Sequence, residues 1–296
     1  MIAIATQSNF WHWQGCRIRY QCSGATGPAL VLIHGFGASS AHWRKNLPDL
    51  GQVHRVFAID LLGFGKSDKP TPNLPFSYTF ETWGHLVADF CREVVGEAAV
   101  LVGNSIGCVV ALQAAVDAPE HCRGVVMIDC SLRLLHVRKR ATLPWYRSAG
   151  APILQAVLDF RPLGQFFFSR LATARSLNRI LKQAYGRKES VTDELVELLL
   201  EPAFDPGALD VFLAFIKYDN GPLAEDLLPQ IRCPVLILWG EVDPWEPIEL
   251  ARQEYADLPM VDRFVPLPGL GHCPQDEAPE IVDPLIIEWV ASLGSL

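Results

Sequence analysis

Apolar residues along this chain follow two rhythms. Short apolar runs bounded by glycine, proline or charged residues, the signature of strands in a buried sheet, occupy residues 29–33, 53–61, 98–102 and 124–128. Between them, residues 79–95 and 106–118 carry apolar positions three and four apart, which is the period of a helix, and the second stretch stops just before Pro119. Two shorter β-rich stretches lie between Phe10 and Tyr20. Strand alternating with helix predicts a doubly wound, mostly parallel sheet with helices on both faces.

The alternation stops after Ser131. Residues 132–231 carry helix-like segments punctuated by Pro144, Pro152, Pro162, Pro202, Pro206 and Pro222, with no convincing strand. The first pattern then resumes, with strands at 234–239 and 263–266 and helices at 247–255 and 279–293, for eight strands in all. Because only these last segments complete the core motif, the chain reads as one core domain, residues 1–131 and 232–296, carrying a helical lid at 132–231.

Composition narrows the class. With 296 residues, half of them hydrophobic, the chain can bury a large core, which argues against disorder. A formal net charge of −8 argues against nucleic acid as a partner. The eight cysteines include no CxxC pair, and Cys108, Cys122, Cys130 and Cys233 adjoin apolar runs; they read as buried thiols in a reducing compartment. Residues 1–13 lack the basic start and apolar stretch of a signal peptide, and no segment offers eighteen uninterrupted apolar residues. The expectation is a soluble or peripheral protein that is not secreted.

Gly103-Asn104-Ser105-Ile106-Gly107 fits GxSxG directly after a buried strand and directly before a helix, the setting in which the motif marks a nucleophile elbow. A serine hydroxyl needs a positioned base, and strand order in such folds delivers the partners as Ser, acid, His. His272 lies in the loop after the last strand and Asp243 in the loop after the preceding one, so Ser105, Asp243 and His272 are the expected nucleophile, acid and base. Asp129, at the end of the strand after the elbow helix, is the second choice of acid. Asp276 and Glu277 read as solvated or as caps of the final helix, and Asp60 as part of a structural turn. The backbone N–H groups of Ile106, at a helix start, and Phe36, in the loop after residue 33, are the expected oxyanion donors. Gly35 and Gly37 would let that loop approach the substrate. His34 would brace the loop and stand at the substrate side with Trp145, Phe166, Phe167 and Trp245.

Taken together, His34-Gly35-Phe36-Gly37, the turn from Asp60 to Gly65, GNSIG, Glu241-Val242-Asp243-Pro244-Trp245 and the run from Gly271 to Glu277 resemble the pheophytinase and chlorophyll dephytylase group of α/β hydrolases. The similarity runs from Phe10 to Trp289 and is weakest in the lid. It implies the α/β-hydrolase fold and hydrolysis of the phytyl ester of a chlorophyll-type pigment, without a cofactor, at a photosynthetic membrane; no metal is expected, and the expected location is the cytoplasm or the plastid, in association with the thylakoid. Cys108 departs from the group, which carries glycine there. Ser105 argues against haloalkane dehalogenases and epoxide hydrolases, which place an aspartate at the elbow. A general carboxylesterase, lipase-like enzyme, acyltransferase or C–C bond hydrolase could use the same three residues, and a non-catalytic relative would be a binding protein.

One local feature opposes the overall charge. Between Ser131 and Lys188 stand twelve basic residues and a single acid, Asp159, for +11 in a chain whose total is −8. Interleaved with tryptophan, leucine and phenylalanine, they make peripheral membrane contact through the lid an expectation.

Overall fold

The computed structural model describes residues 5–134, 136–140 and 160–294. Its strands are β1 (Gln7–Trp13), β2 (Cys16–Ser23), β3 (Ala29–Ile33), β4 (Arg55–Ile59), β5 (Ala99–Asn104), β6 (Cys122–Ile128), β7 (Val235–Gly240) and β8 (Val261–Leu267). They form one eight-stranded sheet in the order β1-β2-β4-β3-β5-β6-β7-β8. β2 runs antiparallel to both neighbours, and every pairing from β4 across to β8 is parallel.

Helices of two turns or more among the described residues are α1 (Phe80–Phe90), α2 (Ile106–Asp117), α3 (Arg161–Leu171), α4 (Ala174–Ala184), α5 (Asp193–Leu200), α6 (Ala208–Lys217), α7 (Ile248–Tyr255) and α8 (Pro279–Ser292). The two-residue period of the strands sorts side chains between two cores. Along β3, Ala29, Val31 and Ile33 enter one and Leu30 and Leu32 the other; β5, β6 and β7 divide the same way. The first core is closed by α1, α2 and α7, the second by Trp43, Leu47, Leu50 and α8. α2 is buried from Ile106 to Ala115, as a helix apolar on all sides must be. The parallel strands therefore end together along one edge of a covered sheet, where loops at the carboxyl ends of β3, β5, β6, β7 and β8 can converge.

Between β6 and β7 the described residues hold helices and turns and no strand. A third, smaller core there, built on Leu181, Ala184, Tyr185, Leu195 and Val196, includes Cys273, the neighbour of His272. No described helix is long and apolar enough to cross a membrane. The eight cysteines are free thiols, six of them buried.

Candidate active site

β5 ends at Asn104 and α2 begins at Ile106, which leaves Ser105 alone at the turn with φ 57° and ψ −122°. Such a backbone costs about 1–3 kcal/mol and persists only where its surroundings fix it. Here the Ser105 N–H donates to the Ile128 carbonyl at 3.0 Å, and its own carbonyl accepts from the N–H groups of Cys108 at 3.1 Å and Ser131 at 3.2 Å. The flanking glycines are steric requirements. A Cβ on Gly103 would lie 2.4 Å from the Gly107 backbone, and one on Gly107 would lie 2.4 Å from the Ile33 carbonyl oxygen.

His272 Nδ1 donates to Asp243 Oδ2 at 2.7 Å. The other carboxylate oxygen, Oδ1, accepts from the N–H groups of Trp245 at 2.8 Å and Glu246 at 3.1 Å, so the aspartate is held by its own loop. Asn104, beside the serine, donates through Nδ2 to the His272 carbonyl at 3.0 Å and ties the two loops together. Trp245 meets the imidazole edge-on at 4.9 Å. Asp129 lies at the end of β6 but is wholly buried and accepts the Gly240 N–H at 2.9 Å. Burial, and then the neighbouring Asp243 carboxylate, push its carboxyl well above the usual range and favour its neutral form. The imidazole thus pairs with Asp243, and Asp129 braces the strand end.

Ser105 and His272 open onto a cleft of about 490 Å³ with largely apolar walls, among them Phe36, Phe168, Leu181, Val211, Phe212 and Trp245. Gly35, Gly37 and Ile106 line it as well. Of the residues expected at the substrate side, three are placed otherwise. His34 is fully buried off the cleft wall, donating through Nδ1 to the Gly35 carbonyl at 2.8 Å and accepting the Leu61 N–H at Nε2, 3.1 Å. Both nitrogens are used, burial disfavours its charged form, and only the bracing role remains. α3 directs Gly164, Phe168 and Leu171 inward, so Phe166 is turned away and 58% exposed, while Phe167 is half-buried against Phe212 and off the cleft wall. Trp145 lies outside the described residues. Cys108 is buried beneath the elbow, its thiol donating to the Gly103 carbonyl at 3.1 Å, and is not part of the cleft wall.

Asp276 and Glu277 are not solvated. Both are buried, and they clamp the His272 loop to the end of α4. Glu277 accepts the N–H of Gly271 at 2.9 Å and of Arg187 at 2.8 Å, while Asp276 accepts from Arg44 at 2.7 Å and from the Tyr185 hydroxyl at 3.1 Å. The His272 N–H completes the clamp by donating to the Ala184 carbonyl at 2.9 Å. A Cβ on Gly271 would lie 2.1 Å from that same carbonyl oxygen, so this approach requires glycine.

The sequence reading missed Glu246. It lines the cleft, accepts from the Ser131 hydroxyl at 3.1 Å and the Leu132 N–H at 3.0 Å, and is pushed up to about 7 by burial, against the opposing pull of His272. Its place three residues after Asp243, within the same turn, was the available signal. Among the described residues no cluster of His, Cys, Asp and Glu could hold a metal ion.

With this geometry in view, comparison with known proteins fixes the family. The model of the alpha/beta hydrolase family matches residues 30–284, from the first parallel strand to within the last helix. The chain belongs to the alpha/beta hydrolase family. Within that family it is 27% identical to the chloroplastic pheophytinase of Arabidopsis thaliana over 94% of its own length and 65% of that protein's. It is 26% identical to a 2-hydroxy-6-oxo-6-(2'-aminophenyl)hexa-2,4-dienoic acid hydrolase of Metapseudomonas resinovorans over 90% of this chain and 84% of that one. Among solved structures, a serine hydrolase involved in carbazole degradation superposes with a TM-score of 0.75 at 21% identity, covering 98% of this chain and 100% of its own, a likeness of fold. The Metapseudomonas resinovorans relative is a hydrolase by name, and the kinship supports hydrolase activity.

Proposed function

We propose that this chain is a serine esterase that cleaves a carboxylic ester of a lipophilic substrate, the phytyl ester of a chlorophyll-type pigment being the first choice. The observation that carries the reading is a Ser105 elbow sharing one apolar cleft with a His272–Asp243 pair closed at 2.7 Å. In this mechanism Ser105 Oγ attacks the ester carbonyl while His272 Nε2 takes its proton, and Asp243 holds the Nδ1–H tautomer and stabilises the imidazolium. The backbone N–H groups of Phe36 and Ile106 receive the oxyanion. The imidazolium then protonates the departing alcohol, leaving an acyl group on Ser105. Water, deprotonated by His272, releases the acid and restores the serine.

The apolar walls suit a long isoprenoid alcohol, since ligand clefts match the polarity of what they bury. Similarity to a pheophytinase, together with the segments from Glu241 to Trp245 and from Gly271 to Glu277, supports the pigment ester and a photosynthetic membrane as the place of action. A C–C bond hydrolase is the second reading, favoured by the similarity to the aminophenyl-hexadienoic acid hydrolase. The test is a panel of short nitrophenyl esters, a phytyl ester, pheophytin, chlorophyll and a vinylogous diketone acid, scored by kcat/KM. Highest efficiency on phytyl esters is expected, with fluorophosphonate labelling that Ser105→Ala abolishes. Preference for acetate overturns the lipophilic reading, and cleavage of the diketone alone favours the second.

A further inference from the structure

Two of the helices that wall the cleft, α3 and α4, also carry an outer face that the esterase reading does not use. On α3 and the residue before it, Phe160, Leu163 and Phe166 stand three apart and are 61%, 45% and 58% exposed. Arg170 lies over the Phe166 ring at 5.2 Å. On α4 the division is sharper: Leu177, Ile180, Leu181 and Ala184 line the cleft, while Arg175, Arg179 and Lys182 point to solvent. From Arg161 to Lys188 the chain has seven basic residues and no acid. Arg161 pairs with Asp210 and Arg187 with Glu280. The other five, Arg170, Arg175, Arg179, Lys182 and Lys188, are exposed and form no ion pair among the described residues.

We infer that the outer face of α3 and α4 docks on an anionic lipid bilayer, with Phe160, Leu163 and Phe166 entering the interface and the cations on α4 meeting headgroup phosphates. Exposed aromatic and aliphatic side chains beside arginine and lysine are the chemistry by which helices settle at a lipid surface. A second copy of the chain fits the face worse, because a two-fold contact would set its unpaired cations against themselves. The total of −8, reached despite this patch, means that the rest of the surface is repelled by the same bilayer, so the lid side faces it. Since the inner faces of these helices wall the cleft, a lipophilic ester leaving the bilayer would reach Ser105 beneath them. The inference rests on the lipophilic-ester reading for its purpose, and its test does not.

The experiment is cosedimentation of the full chain with vesicles of phosphatidylglycerol and phosphatidylcholine, or of phosphatidylcholine alone, at 50 mM and 500 mM salt. Binding to the anionic vesicles at low salt is expected, at least ten-fold weaker at high salt and weaker still on neutral vesicles. Replacing Arg175, Arg179 and Lys182 by Glu weakens anionic binding on the order of 100-fold or more, and replacing Phe160, Leu163 and Phe166 by Ser weakens it on both vesicle types. Both variants retain wild-type hydrolysis of a soluble nitrophenyl ester. Equal binding to both vesicles, no binding to anionic ones, or self-association in sedimentation velocity that these substitutions abolish would overturn the inference. Vesicle binding without cleavage of any lipophilic ester would instead overturn the proposed substrate and leave the docking face standing.

Discussion

The Tyr185 hydroxyl donates to Asp276 Oδ2 at 3.1 Å and accepts from His42 Nε2 at 2.9 Å, which joins the end of α4 to the loop that carries His272. Burial holds His42 down to about 4, so the imidazole is a neutral donor at working pH. Tyr185→Phe strands two buried partners, at about 1–3 kcal/mol for each group left unpaired. Denaturant unfolding is expected to fall within that range, with kcat/KM on a soluble ester down about ten-fold through misplacement of His272. Unchanged stability and rate would mean that the clamp is idle.

The choice of acid separates by substitution. Asp243→Asn favours the wrong imidazole tautomer, and a loss of about 10⁴-fold in kcat is expected. Asp129→Asn keeps an acceptor for the Gly240 N–H and replaces a carboxyl whose charged form burial disfavours, so activity within ten-fold of wild type is expected. Steady-state kinetics with a nitrophenyl ester would reverse the assignment if the two losses were exchanged.

Glu246 should leave a mark on the pH profile. Its pKa of about 7 means that it is anionic above neutrality, where it helps stabilise the His272 imidazolium, and neutral below. Glu246→Gln is therefore expected to lose roughly ten-fold in kcat/KM at pH 8, a typical gain from one facing charge near a surface cleft, and to converge on wild type by pH 6. A constant ratio across that range would remove the electrostatic role.

Asp283 offers a stability test remote from the cleft. It is held by Asn46 Nδ2 at 2.7 Å, and burial raises its pKa from 3.8 to about 7. A raised folded-state pKa means that the folded chain binds the proton more tightly than the unfolded chain. Stability is then fully present below pH 4 and falls as the pH rises towards 7, beyond which the loss is constant. Asp283→Asn keeps the acceptor and removes the charge. A gain of about 2–4 kcal/mol at pH 8 that vanishes near pH 4 is expected from urea denaturation.

How much of this was readable beforehand divides along contact range. The parallel strands were legible because a strand buried on both faces has nothing polar to interrupt it, as at β3. Ser105, Asp243 and His272 were legible because each follows a parallel strand, β5, β7 or β8, where position in the chain stands in for position in space. Asp276 and Glu277 misled for the opposite reason: their partners Tyr185 and Arg187 arrive from about ninety residues away, and two acids before a helix look like solvent-facing caps. The Phe166-Phe167-Phe168 run failed on rotation. One residue turns a helix by about 100°, so three consecutive phenylalanines give no phase; both Phe167 and Phe168 meet Phe212, at 6.4 and 5.1 Å, and only Phe168 reaches the cleft wall.

A connection from β6 to its parallel neighbour β7 must cross a face of the sheet, a task that one helix can perform. Here Ala224, Leu227 and Leu228 make that crossing, joining the core shared with α2, and the described residues among 132–222 lie in an excursion before it. The entropy of closing an excursion grows only with the logarithm of its length, about 0.6 kcal/mol for each doubling. The stretch can therefore change in length at modest cost between the places that tie it to the core, which include Ala184 to Arg187 on the histidine loop, Asp205 on Lys69 and Tyr218 on Glu81. What the chain can accommodate and how firmly it folds are thus written in different stretches of sequence, free to change at different rates.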